Sequence, residues 1–372
     1  MRPYDLAIVG SGIIGLACAY TAAARGKHVV VIERDTRANN ASIRNFGFVT
    51  VTGQERHKVW PLARRARDVW ADIAPQAGIA VEHEGLLLTA RCPESMTVLE
   101  AFMQTEMAQG CALLSRAELA TRAPQLCAEQ ALGALYSPHE IRVESRTAIP
   151  RLTHWLAQAH GVTFMTGTAV HEVAPPRIVT SRGVVEAEAA IVCPGDDFVA
   201  LFPERIAAYA PRKCILTMLR LADPGFRLPA ALMSDLGLVR YKGYADLPEA
   251  AGIKARAARD HAEALAHGIH LIVVQSADGS LVVGDSHHYD DTPWPFMDAR
   301  SEALILEEFK AATGLTPPPV IERWTGIYAS SDQQDFFIDA PAPATRIVMV
   351  TTGAGASMSF GLAEQVIGEL YD

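Results

Sequence analysis

Hydrophobic and polar positions change their period repeatedly along the chain, and each change marks an element. Asp5-Leu6-Ala7-Ile8-Val9 is a short apolar run of strand type. The Ala-rich stretch 16–25 reads as a helix closed by Gly26, and the β-branched run 28–32 is a second strand ending at Glu33. Residues 60–74 have helical spacing, with Leu62, Ala66, Val69, Trp70 and Ile73 on one face and Arg64, Arg65 and Arg67 on the solvated one. The pattern predicts a strand at 80–89 and a helix at 95–109. It predicts a short helix at 115–121, where Ser115 and Glu118 have capping-box spacing. A strand at 131–136 precedes a helix at 144–160. Strands are expected at 161–165 and 169–173, and Ser181-Arg182-Gly183 joins 178–180 to 184–186 as a hairpin. Residues 187–195 form a buried strand stopping at Cys193-Pro194-Gly195. Further strands are expected at 214–221, 238–243, 271–275 and 280–284, with a charged helical stretch at 249–267. Residues 298–313 predict a helix stopped by Gly314, 346–350 a buried strand, and 360–370 a final helix.

Chemistry enters at the first turn. Gly10-Ser11-Gly12-Ile13-Ile14-Gly15 has the spacing G-x-G-x-x-G between the first strand and the first helix. Strand, glycine turn, helix, strand and terminal acid make a complete βαβ dinucleotide-binding unit. Gly10 permits the turn, Gly12 lets a pyrophosphate approach the backbone, and Gly15 lets helix and strand pack closely. The helix start at Ile13 and Ile14 presents N–H groups to phosphate. Glu33 lies where an acid accepts from ribose hydroxyls. A carboxylate there repels a 2′-phosphate, which argues against NADP and leaves NAD and FAD open.

Two other stretches carry signals. Ser42-Ile43-Arg44-Asn45-Phe46-Gly47 puts a hydroxyl, a cation, an amide and a glycine within six positions. It reads as a loop pressed against a planar ring, or as a plain surface turn. Residues 351–359 are a small-residue turn containing Gly353, Gly355, Ala356, Ser357 and Met358 between a strand and a helix. That is again an anion-stabilising helix entry, or simply a flexible approach to a C-terminal helix.

The 372 residues suffice for two domains with real cores, and 49 % hydrophobic content is that of a globular chain. A net charge of −9 argues against a general nucleic-acid binder. No apolar stretch is long enough to span a bilayer, and the first apolar run belongs to the nucleotide-binding strand rather than to a signal peptide. Cys18, Cys92, Cys111, Cys127, Cys193 and Cys214 show neither C-x-x-C nor zinc spacing, so no metal is expected and a reducing cytoplasm is the expected location.

In chain order, Gly10, Gly12, Gly15 and Glu33, the Ser42–Gly47 stretch, Cys193-Pro194-Gly195, Arg323-Trp324-Thr325-Gly326 and Gly353-Ala354-Gly355 resemble the D-amino-acid oxidase superfamily, which includes glycine and sarcosine oxidases. The resemblance covers essentially the whole chain. It implies an α/β fold: a Rossmann-like FAD-binding domain of glutathione-reductase type beside an α+β substrate domain on a mixed, largely antiparallel sheet. Segments 1–80, 145–210 and 320–372 would form the first, and 81–144 and 211–319 the second. It implies non-covalent FAD, with Gly10, Gly12, Ile13, Ile14 and Gly15 at the pyrophosphate and Glu33 and Arg34 at the adenosine ribose. Val170 would flank the adenine. Ser42, Arg44, Asn45, Phe46 and Gly47 would lie along the isoalloxazine, with Cys193, Gly195, Trp324 and Gly326 beside it. Gly353, Gly355, Ala356, Ser357 and Met358 would face its pyrimidine edge. The implied reaction removes a hydride equivalent from the carbon next to an amine nitrogen, with dioxygen as electron acceptor.

A narrower resemblance rests on the Ser42–Gly47 stretch together with Gly284-Asp285-Ser286-His287-His288-Tyr289. It points to a bacterial subgroup associated with phosphonate breakdown, and hence to an aminophosphonate related to 2-aminoethylphosphonate. A phosphonate needs cationic and hydroxyl donors. Arg44, Lys213, Arg240, Tyr241, His287, His288 and Tyr328 lie at strand ends or turns expected above the flavin. The alternatives are an amino-acid oxidase of glycine, sarcosine or D-amino-acid type, a flavin dehydrogenase serving a quinone or carrier protein, and a non-catalytic flavin subunit. An NAD-dependent dehydrogenase would leave the C-terminal glycine turn unexplained.

Overall fold

Strands apolar on both sides must be covered on both sides, and the N-terminal strands obey this. In a computed structural model describing residues 3–126 and 131–372, Val29–Ile32 is buried throughout. It belongs to a sheet ordered Phe336–Ala342, Thr345–Val350, Gly183–Val192, Tyr4–Val9, Val29–Ile32, Thr163–Met165. From Thr345–Val350 onward neighbouring strands run parallel, and Phe336–Ala342 closes the edge antiparallel. Helices Ile13–Ala24, Val59–Gln76, Ser145–His160 and Gly355–Tyr371 cover one face. The hairpin made by Arg177–Thr180 with the start of Gly183–Val192 packs with Ile206 and Phe337 on the other.

The second sheet is built on Arg212–Leu221, which pairs antiparallel with Leu281–Gly284, His288–Asp290 and Val320–Ser330. It continues through Ile272–Gln275, Ala231–Met233, Val81–Ala90 and Gly133–Val143 to Phe48–Val49. Ala231–Met233 and Val81–Ala90 run parallel, which makes the sheet mixed but mostly antiparallel. The chain is thus α/β, with a parallel core and a second, largely antiparallel sheet.

Several local expectations change. Val320–Ser330 and Phe48–Val49 hydrogen-bond into the second sheet, although the resemblance implies that 320–372 and 1–80 belong to the FAD-binding part. Backbone pairing across the sheet, invisible in local sequence, decides this. Residues 238–243 are not a strand: a 3₁₀ turn, Asp235–Val239, leads into the short helix Lys242–Ala245. That segment folds over the backbone at 53–54, where a Cβ on Gly243 would lie 2.5 Å from the Gln54 carbonyl oxygen. The 95–109 helix divides into Pro93–Phe102 and the 3₁₀ turn Glu106–Ala108. The final helix starts at Gly355, five residues early, so the small-residue turn is largely its first turn. The Ser115–Glu118 capping box forms as its spacing predicts. Cys18, Cys92, Cys111, Cys193 and Cys214 are free thiols, and Cys127 lies outside the described residues. No described helix is long and apolar enough to cross a membrane.

The C-terminal helix crosses Val59–Gln76 at backbone contact. A Cβ on Gly361 would sit 2.5 Å from the carbonyl oxygen of Leu62, and Gly361 is fully enclosed. Neither helix backbone can yield locally. Gly361→Ala should therefore destabilise the fold by about 1–3 kcal/mol despite the better helix propensity of Ala. A thermal unfolding midpoint equal to the wild type would refute this close crossing.

Candidate active site

The glycine turn is shaped by what its residues lack. A Cβ on Gly15 would lie 2.0 Å from the Gly10 carbonyl oxygen, and one on Gly12 would lie 3.1 Å from Ser42 Oγ. Helix Ile13–Ala24 has no capping side chain of its own. Ser42 Oγ instead accepts from Ile13 N–H at 2.9 Å. Glu33 reaches back from its strand, and its Oε2 accepts from both Ser11 N–H and Ser11 Oγ–H at 2.8 Å. The acid expected at a ribose therefore also holds the glycine turn.

The 42–47 loop is braced on every side. Asn45 donates to the Ala41 carbonyl and accepts from Gly47 N–H, both at 2.6 Å. Trp324 Nε1 donates to the Arg44 carbonyl at 3.0 Å, and buried Arg142 donates to that of Phe46 at 3.2 Å. Across from the loop, the N–H groups of Gly355, Ala356 and Ser357 precede the first bond of the final helix, Met358 N–H to the Ala354 carbonyl. Ser357 Oγ accepts from Thr50 N–H at 2.9 Å, and buried Trp70 donates to the Ala356 carbonyl at 3.2 Å.

A cavity of about 470 Å³ opens between these parts. Its walls include Gly12, Ile13, Ile14 and Gly15, then Ser42, Arg44, Asn45 and Phe46, then Cys193, Gly195 and Gly326, then Gly353, Gly355, Ala356 and Ser357. The second sheet adds Tyr328, and the turns and segments joining its strands add Arg240, Tyr241, His270, Asp285 and His287. Arg240 Nη2 lies 3.4 Å from Tyr328 Oη, and among the described residues Arg240 joins no ion pair. Burial works to lower its pKa, but Tyr328, Tyr289 and Asp285 outweigh that and raise it. Asp285, His270 and His287 are 4–5 % exposed. Asp285 Oδ1 is 3.3 Å from His270 Nδ1, and its Oδ2 is 3.7 Å from His287 Nε2. Burial pushes the Asp285 carboxyl up to about 7, against the pull of Arg240. Burial, then Arg240, holds both imidazoles neutral.

Other expected site residues do not line this cavity. His288 contacts Ser301 Oγ at 3.0 Å beside His267 and Asp298, outside the cavity. Lys213 lines a separate surface depression with Arg34, whose guanidinium is 2.7 Å from Asp197. Residues alternate sides along a strand, and that parity carries Lys213 away from the cavity. Met358 is buried in the helical core, its N–H spent inside the helix. Val170 pairs with Thr180 in the outer hairpin. Trp324 acts through Arg44, with Arg146 stacked over its ring at 4.7 Å. Gly10 and Gly47 shape turns: a Cβ would meet the carbonyl oxygens of Cys193 at 2.6 Å and Val143 at 1.7 Å. Sequence reasoning gives no role to Asp285, His270 or Tyr289. Asp285 lies within the 284–289 motif, and His270 is a lone histidine before a strand, with no local signal.

The family model described as FAD dependent oxidoreductase (DAO) matches residues 5–368. The chain belongs to this family. Among curated relatives it is 25 % identical over 206 residues to the glycine oxidase of Geobacillus kaustophilus, covering 52 % of this chain and 54 % of that one. The match thus spans about half of that relative's length. It is 24 % identical to one of the subunits of the Rhizobium meliloti opine oxidase over 88 % of this chain and 82 % of that one. Among solved structures, glycine oxidase from Geobacillus kaustophilus superposes with a TM-score of 0.76 at 17 % identity, covering 100 % of this chain and 95 % of that one. L-proline dehydrogenase from P. horikoshii superposes with a TM-score of 0.80 at 14 % identity, covering 100 % and 94 %.

The family cofactor is FAD, and the residues present fit it. Gly12 lines the cavity with no backbone against its missing side chain, and a Cβ on Gly355 would meet nothing within 4 Å. Gly12→Val should crowd the pyrophosphate path and yield a folded but colourless protein; a yellow, stoichiometric variant would remove this turn from cofactor binding. Gly355→Asp meets no steric bar and puts a negative charge at the helix N-terminus. It should lower the reduction potential of bound flavin by opposing the helix dipole. An equal potential in an FAD-loaded variant would take the final helix out of the account.

Proposed function

We propose that this protein oxidises a small amino acid, or a closely related amine carrying an anionic group, at the carbon bonded to nitrogen. Dioxygen is the proposed electron acceptor. The carrying observation is Arg240, a cation in the cavity wall that joins no ion pair among the described residues. An unpaired guanidinium in a partly desolvated wall favours an anion in bidentate contact. The names of the relatives, a glycine oxidase and part of an opine oxidase, support an amino-acid-derived substrate. Of the seven donors expected over the flavin for an aminophosphonate, Lys213 and His288 lie outside the cavity and five line it, so the relatives' names weigh for the amino acid.

FAD, held by the glycine turn and the start of the final helix, would supply a hydride acceptor, and the imine so formed would hydrolyse to an oxo product. The chain's part is to position the substrate. Arg240 and the Tyr328 hydroxyl would grip the substrate carboxylate and so orient its α-carbon. Phe46, Tyr241 and Tyr328 wall the cavity. Burial raises the pKa of Tyr241 and Tyr328, so both remain hydrogen-bond donors at neutral pH.

The test is anaerobic flavin reduction with glycine, sarcosine, D-alanine, 2-aminoethylphosphonate and a plain alkylamine. An amino acid should reduce the flavin fastest, and mixing with oxygen should reoxidise it within turnover time. A faster phosphonate would replace the carboxylate in this reading. Slow reoxidation would make the protein a dehydrogenase. Arg240→Met should lose about 1.5–3 kcal/mol in the carboxylate contact, roughly tenfold to over a hundredfold in kcat/KM. The alkylamine rate should hardly change; an equal loss for both would mean that Arg240 does not read the anion.

A further inference from the structure

We propose that Asp285, with His270 beside it, takes the proton from the substrate ammonium before the neighbouring C–H bond breaks. This rests on the reading above, in which the substrate carries both an ammonium and an anion. Glycine-like substrates are ammonium ions at neutral pH, and an ammonium nitrogen has no lone pair to assist loss of hydride. That proton must leave first, to a group of the protein or to water.

The geometry points to Asp285. It lines the same cavity as Arg240, so one wall carries both a cation for the carboxylate and an acid for the ammonium. Asp285 Oδ1 and His270 Nδ1 are both buried without a hydrogen bond, 3.3 Å apart. His287 Nδ1 lies 2.8 Å from the Gly268 carbonyl oxygen, which can only accept. That nitrogen therefore carries the ring hydrogen, and His287 Nε2 turns a lone pair toward Asp285 Oδ2 at 3.7 Å. An ionised Asp285 thus faces a second electron pair, and a proton between them relieves the repulsion. Such orphaned buried polar atoms are costly unless something arrives to satisfy them.

Burial favours the carboxylate over the imidazoles as the acceptor, because a protonated carboxyl is neutral and a protonated imidazole is charged. Arg240 and Tyr241 face Asp285 from the 240–241 turn, His270 from the segment before Ile272–Gln275, and His287 from its own segment, where Tyr289 reaches Arg240. Tyr328 and Cys214 face it from paired strands. Arg240 opposes a charged imidazole at His270 and His287. It would equally oppose a divalent cation, although three ligand atoms of Asp285, His270 and His287 lie within 4.8 Å of one another. In the step itself an N–H bond breaks and an O–H bond forms. Ammonium and carboxylate become amine and carboxylic acid, the electron pair stays on nitrogen, and nothing is oxidised or reduced.

The first test needs no turnover. 2-Aminoisobutyrate has no hydrogen on its α-carbon, so it can bind but cannot be oxidised. At about pH 8, above the Asp285 carboxyl at about 7, its binding to the FAD-loaded protein should add a carboxylic-acid C=O band to the infrared difference spectrum. That band should vanish in Asp285→Asn. The second test is the pH profile of kcat/KM for two substrates whose amines differ in basicity. In the wild type the rising limb should lie near 7 for both. In Asp285→Asn it should follow each amine's own ionisation, and activity at neutral pH should fall roughly a hundredfold to ten-thousandfold. Asp285→Glu should recover part of the low-pH limb. No band in the wild type, or a wild-type limb that already tracks the amine, overturns the proposal even if the variants misfold. A stoichiometric divalent metal in the purified protein overturns it in favour of a metal site. If the band appears but no amine reduces the flavin, the functional reading fails and the proton site stands.

Discussion

Backbone packed directly on backbone, with no side chain between, is the constraint on which the rest of the molecule depends. At the glycine turn the helix start, the first strand, the end of the Cys193 strand and the 42–47 loop meet at distances that exclude even a methyl group at Gly10 and Gly15. The same geometry recurs where Gly361 crosses Leu62 and brings the C-terminal helix over Val59–Gln76. Together these contacts place two helix N-termini, at Ile13 and at Gly355, on one cavity. Each start leaves N–H groups without an intrahelical partner and a positive dipole end, a setting that would favour a long, negatively charged cofactor and give one chain a use for its first and last elements at one site.

The loop between them shows how a flexible-looking sequence is made rigid. No regular pairing holds residues 42–47. Asn45 satisfies two backbone groups of the loop and its neighbours, and Ser42, Trp324 and Arg142 one each. Each bond alone contributes about 1 kcal/mol, but together they leave the loop few other conformations. Arg44 is thereby presented to the cavity while its carbonyl is tied behind it.

Charge in the cavity is arranged by burial as much as by sequence. Arg240 is held cationic by its tyrosine and carboxylate neighbours, whereas His270 and His287 are kept neutral and Asp285 is driven upward by desolvation. Residue types alone would read this set as two cations and an anion beside Arg240. The structure makes it one lasting cation and one carboxyl poised near neutrality. Perturbed groups of this kind concentrate where chemistry is done.

The sequence alone determined what local chemistry dictates. Strand, glycine turn, helix and acid within the first 33 residues specify the nucleotide-binding unit, because φ/ψ freedom, close approach and helix polarity are properties of a few adjacent residues. The Ser115 capping box and the Asp298 and Gly314 helix limits were legible for the same reason. Tertiary structure decided everything that depends on pairing between distant segments. Val320–Ser330 joined the second sheet because its backbone bonds are completed by Arg212–Leu221. Lys213 and His288 turned away from the cavity, while Arg240, Tyr241, His287 and Tyr328 turned toward it. Strand parity and register make that choice for Lys213, His288 and Tyr328, where a shift of one residue reverses it, and the turn at 239–241 makes it for Arg240 and Tyr241. Asp285 and His270 acquired their setting only when chain segments 15 residues apart in number were buried against one another and against Arg240, 30 residues before His270. Desolvation is a property of the packed interior, so no local pattern could have announced it.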